Sequence, residues 1–533
     1  MSLSEFEVRK EKLMLLREAG IEPFVTKYER THTIADLRAL AESYNLPPAD
    51  LLMSEWAAPT YSIAWRVMMY RTHGKLSFAT LRDGSDDIQV AYVRWLTGVM
   101  IQQERQEEID IHGETMHAAK FIEKYIDVGD HIGVRGELFV TKHGELTLFV
   151  HETTLLTKAL RPMGDKWHGI ENIDLRLRKR YLDTTMNRSV QQMLKRRSLF
   201  WQTVRMFLLQ HDFMEVETPI LEVTTGGADA NPFSTHHQAL DLDIFLRISC
   251  GELWQKRLMV WWFEKTFEIG RVFRNEGMSP EHAQDYTQME NYWAYADYRQ
   301  MMDLVQEMYK TIVDTVYKTR QFTIRWYEVD FDGAWPEIDY TTIIKEKTWI
   351  DIWAASDEDI IHKLQELKVA YDPLNRQRLI DTLRKYCRKQ IAWPVFLVNV
   401  PTIMSPLAKV KADNPDLTER FQVIIAGSEM GNGFSELNDP IDQHQRFTQQ
   451  QAMRDAGDDE AQMADREYVE ALEHGMPPTA GFGFSERFFC FLEDLPIREA
   501  QYFPLMRPLA SASDLSTDDT PPSSADATED SSS

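Results

Sequence analysis

The sequence is most distinctive for the residues it has few of. Its 533 residues include only three cysteines, Cys250, Cys387 and Cys490, which are too scattered for a disulfide framework or a zinc-binding cluster. No run of about 18 apolar residues is present, so no membrane-spanning helix is predicted. The polar start MSLSEFEVRKEK also lacks the apolar region of a signal peptide. We therefore expect a cytoplasmic protein whose thiols are buried or incidental.

Basic residues are also scarce. The chain has 59 Lys and Arg against 84 Asp and Glu, a net charge of −25. The tail from Leu509 to Ser533 has six acids and no base, and its Ser, Thr, Asp and Pro content predicts disorder. Nucleic-acid binding rests largely on Lys and Arg facing phosphates, so the overall charge argues against it. Basic clusters at 176–181 and 194–198 keep such contacts open, although solvated surfaces are the commoner explanation.

The spacing of apolar residues divides the chain into regions. Residues 1–58 are predicted to form a helical extension, because apolar residues recur at helical spacing in EVRKEKLMLLREAG and IADLRALAESY. Residues 59–158 alternate apolar and polar positions between glycine-containing turns, which predicts a small β-barrel of the OB type. A linker at 159–170 leads to a large region at 171–508 that mixes helices and strands, with a helical insertion at about 343–389.

Three segments occur in a fixed order in the large region. They are DFMEVETPIL at 212–221, FRNEGMSPEHAQDYTQMENY at 273–292 and GFGFSERFF at 481–489. They resemble motifs 1, 2 and 3 of class II aminoacyl-tRNA synthetases, and GSEMGNGFSELNDP at 427–440 is similar to the lysyl-tRNA synthetase family. The resemblance implies an α+β multidomain protein, with an OB-fold anticodon-binding domain and a catalytic antiparallel sheet flanked by helices. It also implies a homodimer joined through the motif 1 region.

The implied reaction is the ATP-dependent activation of L-lysine to lysyl-adenylate, followed by transfer to the 3′ end of tRNA. The amino-acid carboxylate and the α-phosphate repel each other, so the site needs fixed positive charge. By resemblance, the catalytic residues Arg274 and Arg487 hold the α- and γ-phosphates, a task that suits guanidinium groups. The ATP-binding residues implied by the family are Arg274, Glu276, His282, Tyr286, Glu429 and Arg487. Taken alone, an arginine in RVFRNE is more simply explained as a surface ion pair.

The segment after Glu429 is expected to select the amino acid. Where the related aspartyl and asparaginyl enzymes have an arginine, this chain has Glu436, and a buried carboxylate there demands a cation such as the lysine ammonium. A simpler alternative is that Glu436 caps a turn. The lysine-binding residues implied by the family are Gly227, Glu252, Glu290, Tyr292, Asn432, Phe434 and Glu436.

Magnesium and the anticodon complete the expected contacts. Glu429 would be a carboxylate ligand of Mg²⁺, whereas the family's second metal-binding acid is replaced by Gln422. Ala283 likewise replaces an amide near the nucleotide. Phe78 and Gln89 match the family's readers of the central anticodon uridine, by stacking and by an amide contact. The alternative for Phe78 is a place in the barrel core.

Two other functions stay open on the sequence alone. One is an aspartyl- or asparaginyl-type synthetase, which Glu436 argues against. The other is a synthetase paralogue that modifies a protein or only binds RNA. The lysyl paralogue that modifies an elongation factor lacks an OB domain, whereas this chain has the pattern of one.

Glycine is scarce and tryptophan is abundant. The chain has 24 glycines where average usage gives roughly 37, and it has 14 tryptophans. Trp65, Trp262 and Trp393 stand where the family pattern has glycine, and Trp261, Trp326 and Trp349 are weaker cases. We predict that the natural gene reads UGA as glycine at such positions. The alternative is that these are tolerated tryptophans.

Overall fold

The computed structural model describes residues 4–43, 46, 59–73, 76–163, 170–228, 230–277, 279–458 and 461–509. These residues fall into two compact units, one before and one after residues 164–169. Within the described ranges, no helix is both long enough and apolar enough to cross a membrane. The acidic tail and residues 47–58 of the expected helical extension lie outside these ranges.

The first unit begins with two helices and continues as a β-barrel. The helices are α1 (Glu5–Glu18), which the Ser4 side chain caps by accepting a hydrogen bond from the Glu7 N–H, and α2 (Ile34–Ser43). The strands are β1 (Thr60–His73), β2 (Leu76–Arg82), β3 (Asp87–Val93), β4 (Gly98–Ile101), β5 (Glu104–Gln106), β6 (Glu108–Ile111), β7 (Glu114–His117), β8 (His131–Val140) and β9 (Leu146–Thr157), with α3 (Ala118–Tyr125) before β8.

The barrel closes through one parallel pairing. Strands β3, β2, β1, β8 and β9 are neighbours in that order, and β3 also pairs with β9. Alternate residues of the strands fill the interior, including Val67, Leu81, Val90, Val134 and Leu148, all nearly inaccessible to solvent. The OB-type barrel predicted from the alternating pattern is confirmed.

The second unit contains a large mixed sheet with helices around it. Its helices are α4 (Ile173–Arg178), α5 (Arg180–Met186), α6 (Arg188–Gln210), α7 (Glu252–Trp261), α8 (Tyr298–Val316), α9 (Tyr340–Thr348), α10 (Asp357–Glu366), α11 (Arg376–Arg388), α12 (Pro440–Asp455), α13 (Arg466–Glu473), α14 (Arg487–Leu492) and α15 (Ile497–Ala500), with a 3₁₀ turn at Thr402–Met404. Its strands are β10 (Met214–Glu215), β11 (Leu221–Glu222), β12 (Ser234–His237), β13 (Leu242–Leu246), β14 (Lys265–Phe273), β15 (Asp285–Ala294), β16 (Gln321–Ile324), β17 (Tyr327–Asp330), β18 (Glu337–Asp339), β19 (Val395–Val398), β20 (Arg420–Ile425), β21 (Ser428–Ser435) and β22 (Thr479–Ser485).

The main sheet has the strand order β10-β14-β15-β22-β21-β20-β19-β18. It is antiparallel through its middle, as predicted, whereas the outermost pairs β10–β14 and β18–β19 are parallel. One face packs on α6 and α8 through an aromatic core that includes Phe200, Tyr309, Phe482, Phe484 and Phe488. The opposite face of the central strands is therefore free to form a site.

The helices between β18 and β19 pack directly on the sheet. Ile344 of α9 and Leu383 of α11 share a core with Val395 of β19 and Ile424 of β20. This segment coincides with the predicted insertion but begins slightly earlier, at Tyr340. Because α11 lies beside β20 and β21, its side chains reach the centre of the sheet.

Candidate active site

A cavity of about 220 Å³ lies over the central strands β15, β22 and β21. All seven residues expected to bind lysine line it: Gly227, Glu252, Glu290, Tyr292, Asn432, Phe434 and Glu436. They come from widely separated parts of the sequence, and the sheet brings them together.

Two glycines of β22 form the floor of this cavity. In the strand register, Gly481 lies between Tyr292 and Phe434. A Cβ atom added to Gly481 would come within 2.2 Å of Glu436 Oε1, and one added to Gly483 would lie 3.0 Å from Glu290 Cγ. The two carboxylates therefore reach into space that exists because these strand positions lack side chains.

Three carboxylates line the cavity, and one buried ammonium group lies behind two of them. Glu252, Glu290 and Glu436 are at most 6% exposed, and Lys256 is fully buried. Lys256 Nζ donates a hydrogen bond of 2.7 Å to Glu252 Oε1 and lies 2.5 Å from Glu436 Oε2. Burial alone would lower the pKa of Lys256, but the two carboxylates outweigh burial and raise it. One ammonium group can balance only one of three ionised carboxylates.

Glu290 is held rigidly by hydrogen bonds. Its Oε1 accepts from the Cys250 N–H at 2.9 Å and from Gln288 Nε2 at 2.7 Å, while Oε2 accepts from the Tyr292 hydroxyl at 3.0 Å. Burial, followed by repulsion from Glu252, raises the pKa of Glu290 to about 8. Its environment therefore favours a proton or an added cation.

Glu436 is the least satisfied carboxylate of the cavity. Neither of its oxygens accepts a hydrogen bond from any described residue, because the contact with Lys256 is close but poorly directed. Burial raises the pKa of Glu436 well above its usual value. A buried acceptor without a donor is unfavourable. A cationic ligand in the cavity would donate a hydrogen bond to Glu436 and would stabilise its ionised form.

A second cavity, of about 360 Å³, adjoins the first at Arg274 and Glu429. All six residues expected to bind ATP line it: Arg274, Glu276, His282, Tyr286, Glu429 and Arg487. Ala283, the departure noted in motif 2, lines it too. Burial, followed by the charge of Arg487, lowers the pKa of His282, so its imidazole is neutral at physiological pH.

Two arginines of this second cavity are suited to bind phosphate groups. The Arg274 guanidinium lies 5.6 Å from the centre of the Tyr286 ring, and its Nε donates to the Ile248 carbonyl at 3.2 Å. Arg487 begins α14 and donates to Glu281 Oε2 at 2.6 Å. Both groups are thus positioned by neighbours before a phosphate arrives.

The residues predicted to hold magnesium contact arginine instead. Arg384 Nη1 of α11 donates to Gln422 Oε1 at 3.0 Å and to Glu429 Oε2 at 2.8 Å, and Arg388 Nη1 lies 3.4 Å from the same Glu429 oxygen. Burial alone would raise the pKa of Glu429, but Arg384, Arg388 and Arg420 outweigh it and lower it. Across the part of the chain that the structure describes, no group of three or more His, Cys, Asp or Glu side chains could hold a metal.

Phe78 and Gln89 lie on adjacent strands of the barrel. Thr80 pairs with Gln89 and Phe78 with Ala91, which puts all four on one face of β2 and β3. Phe78 is partly buried against a small cluster that includes Phe139 and Phe149. Gln89 Nε2 donates to Thr147 Oγ1 at 2.9 Å. Both side chains are partly accessible to solvent.

Sequence reasoning missed three charged residues around the two cavities. Lys256 could have been found, because it follows Glu252 by one helical turn in ELWQK. Arg384 and Arg388 gave no signal, because the segment that contains them has no motif residue. Only the packing of α11 on the sheet reveals their position.

A central antiparallel sheet with an acidic cavity of amino-acid size beside a larger one that contains two arginines fits a class II aminoacyl-tRNA synthetase site. Comparison with known proteins agrees. Residues 172–507 match the family model for class II tRNA synthetases (D, K and N), and residues 61–156 match that for the OB-fold nucleic acid binding domain.

The chain therefore belongs to the class II tRNA synthetase family. Within that family, it is similar to lysine–tRNA ligases. It is 42% identical over 510 residues to the lysine–tRNA ligases of Thermotoga maritima and of Thermotoga sp. strain RQ2, covering 95% of this chain and 97% of each relative. The Thermosipho africanus lysine–tRNA ligase is 39% identical over 511 residues, with the same coverage. The family resemblance inferred from the motifs is confirmed.

Proposed function

We propose that the protein is a lysine–tRNA ligase, which joins L-lysine to the 3′ end of its tRNA with ATP as a substrate. The observation that carries the proposal is Glu436, a buried carboxylate at the end of the smaller cavity whose oxygens accept no hydrogen bond from described residues. An ammonium group at that depth supplies the missing donor and adds positive charge beside three carboxylates that have only Lys256 among them.

Lysine fits this cavity in one orientation. Its ε-ammonium lies toward Glu436 and Glu290 over the glycine floor, and its aliphatic chain lies between Tyr292 and Phe434. The α-ammonium lies near Glu252, beside Gly227, where an added Cβ would come within 2.7 Å of Glu252 Cβ. The carboxylate then points toward Arg274, which lines both cavities.

Activation is an in-line displacement at the α-phosphorus of ATP. A lysine carboxylate oxygen forms a bond to the phosphorus as the bond to the bridging oxygen breaks, and pyrophosphate leaves. Arg274 offsets charge on the α-phosphate, Arg487 binds the γ-phosphate, and Tyr286 packs on the adenine. The enzyme supplies position and fixed charge and no nucleophile of its own.

Transfer follows on the bound adenylate. A hydroxyl of the tRNA 3′-terminal adenosine attacks the lysyl carbonyl carbon, and AMP departs with the electron pair of the broken bond. Phe78 and Gln89 read the central anticodon uridine by stacking and amide contact. The protein acts in the cytoplasm as a homodimer joined through the motif 1 region.

Magnesium reaches the site with ATP, as part of the substrate. The residues predicted to hold a resident ion fit one poorly, because Gln422 Oε1 and Glu429 Oε2 already accept hydrogen bonds from the Arg384 guanidinium, which would lie against the ion. We therefore assign no step to an enzyme-held metal.

The test is ATP–pyrophosphate exchange driven by each of the twenty amino acids in turn. Lysine should support exchange, and aspartate and asparagine should not. Exchange driven by aspartate or asparagine would identify the alternative synthetase. Lysine-dependent exchange without charging of any tRNA would instead favour the paralogue that modifies a protein.

A further inference from the structure

The junction of the two cavities contains a guanidinium where a bound metal was expected. Gln422 and Glu429 lie on the adjacent strands β20 and β21, and Arg384 Nη1 contacts an oxygen of each, at 3.0 and 2.8 Å. Arg388, one helical turn further along α11, adds a second guanidinium 3.4 Å from the Glu429 oxygen.

A divalent ion does not fit this arrangement. Mg²⁺ needs oxygen ligands at about 2.0–2.1 Å. Gln422 Oε1 and Glu429 Oε2 already face Arg384, which leaves Glu429 Oε1 as the one carboxylate oxygen of the pair that accepts no hydrogen bond from a described arginine, and Gln422 supplies only a neutral amide. An ion between them would lie against a guanidinium, and the repulsion would be strong in a buried site.

Arg384 is fixed in place by its own helix. Asp381 Oδ1 accepts hydrogen bonds from Arg384 Nε at 2.9 Å and from Nη2 at 2.7 Å. Only 7% of the Arg384 side chain is exposed. The guanidinium therefore keeps its position without a ligand, so little ordering is needed when ATP binds.

We propose that Arg384, with Arg388 beside it, is a positioning residue that takes the place of an enzyme-held magnesium ion at this junction. It fixes Glu429 at the boundary between lysine and ATP and keeps a permanent positive charge there. The proposal rests on the proposed ligase function, because only there does the junction face a triphosphate. Its consequence is that the enzyme needs no magnesium beyond the ion carried by ATP.

The test counts bound Mn²⁺ by electron paramagnetic resonance, without nucleotide and with a non-hydrolysable ATP analogue. The wild-type protein should bind no Mn²⁺ at the site without nucleotide, and one ion per site with it. The double variant Arg384→Gln with Gln422→Glu should gain one further ion per site. Arg376→Gln, in the same helix but paired with Asp357, should match the wild type.

More than one ion per site in the wild-type complex would overturn the proposal, whatever the variants do. A double variant that folds, as judged by circular dichroism, yet gains no ion would also overturn it. The amino-acid exchange assay is read separately, because the ion count does not depend on which amino acid is activated. A lysine-specific enzyme with two ions would therefore refute this inference alone.

A second inference rests on an independent observation, the exposure of tryptophan. Trp56 and Trp167 lie outside the described residues, and eight of the other twelve tryptophans are between 38% and 86% exposed. Tryptophan is normally among the most buried side chains. Trp201, Trp254, Trp293 and Trp335 are buried or partly buried, and Trp254 Nε1 donates to Glu222 Oε1 at 3.0 Å.

The backbone at one exposed tryptophan is of a kind that glycine prefers. Trp349 follows α9 in the left-handed region, with φ of 62°, and its N–H donates to the Lys345 carbonyl. This helix-ending position is the one most often filled by glycine. Trp326 lies in the two-residue turn between β16 and β17 and is 76% exposed, although the left-handed residue of that turn is Arg325, with φ of 56°.

We infer that the natural gene reads UGA as glycine and that the exposed tryptophans are glycines in the native protein. Replacing eight tryptophans would bring the glycine count from 24 to 32, closer to the roughly 37 expected from average usage. The buried tryptophans, which fill volume or donate hydrogen bonds, are genuine and encoded by UGG.

Peptide mass spectrometry of the protein purified from its native cells tests this directly. Glycine is expected at positions 262, 326, 349 and 393, and tryptophan at the internal control positions 201 and 335. Tryptophan at 326 and 349, or UGG codons there in the gene, would overturn the inference. Glycine at the control positions would overturn the division between exposed and buried residues.

Discussion

The two adjoining cavities on the sheet differ in charge. Glu252, Glu290 and Glu436 line the smaller one, whereas the larger one has the basic side chains of Arg274, Lys385 and Arg487 beside three glutamates. Each therefore matches one end of the reaction, since lysine brings ammonium groups and ATP brings phosphates. The contrast shows how one sheet holds two substrates of opposite charge and directs their reacting ends toward a common boundary.

The largest effect is expected from removing the charge of the acidic cavity. Glu436→Gln keeps the size of the side chain but leaves the lysine ammonium without its carboxylate. Breaking a buried pair costs about 3–5 kcal/mol, so kcat/KM for lysine should fall roughly a hundred- to several-thousand-fold. The KM for ATP should change little, as measured by pyrophosphate exchange.

The exposed Glu470 on α13 provides the control. Glu470→Gln should leave lysine activation unchanged. An equal loss in both variants, or near wild-type activity of Glu436→Gln, would contradict the role of Glu436.

Alanine substitutions at the two glycines of the cavity floor should weaken lysine binding nearly as much. The effect should be larger where the added carbon lies closer to a carboxylate side chain. Gly481→Ala places a methyl group 2.2 Å from Glu436 Oε1, whereas Gly483→Ala places one 3.0 Å from Glu290 Cγ. Filling this space should raise the KM for lysine strongly in the first variant and more weakly in the second. Gly333→Ala, with no atom within 4 Å of the added carbon, is the matched control. The reverse order of the two effects would show that the floor is not the lysine contact surface.

Protonation of Glu290 should make lysine binding depend on pH. Its pKa is about 8 in the native protein against 4.5 for the free side chain, so native Glu290 stays protonated at neutral pH. The lysine ammonium favours the ionised form, so affinity should rise by up to roughly tenfold per pH unit until pH passes 8. Calorimetric titration from pH 6.5 to 8.5 would measure this rise, and Glu290→Gln should remove it.

The raised pKa of Glu290 also predicts how the thermal stability of the protein changes with pH. A carboxyl whose pKa is raised by folding stabilises the protein below its unfolded pKa, and that contribution is lost as pH rises through the folded value. The Tm of the lysine-free protein should therefore fall between about pH 5 and 8 more in the wild type than in Glu290→Gln. Equal Tm profiles would contradict the assigned protonation.

Changes in the barrel should have the smallest effect on activation. Phe78→Ala and Gln89→Ala remove proposed base contacts that are worth about 1–3 kcal/mol for stacking. The KM for tRNA should rise while lysine-dependent exchange stays unchanged. His143→Ala, exposed in the turn between β8 and β9, is the control. Normal charging of tRNA by both barrel variants would contradict the proposal that Phe78 and Gln89 contact the anticodon.

The sequence predicted the site residues that share a local motif, but not those that helix packing brings to the cavities. Short motifs are readable where one strand carries several site residues, as β15 carries Tyr286, Glu290 and Tyr292. The barrel was predictable because strand alternation is a local pattern. The roles of Lys256, Arg384 and Arg388 depend on how α7 and α11 pack against the sheet, which no local pattern specifies. Gln422 indicated a change in metal count or affinity, but only the structure shows the arginine beside it.

The most direct test of the account is the discrimination between lysine and norleucine, which has nearly the same shape but no side-chain ammonium. We predict that the wild-type enzyme favours lysine by more than about a thousandfold in kcat/KM for pyrophosphate exchange, and that Glu436→Gln loses most of this preference. A wild-type enzyme that activates norleucine well, or a Glu436→Gln variant that keeps its full preference for lysine, would contradict the central role of the acidic cavity.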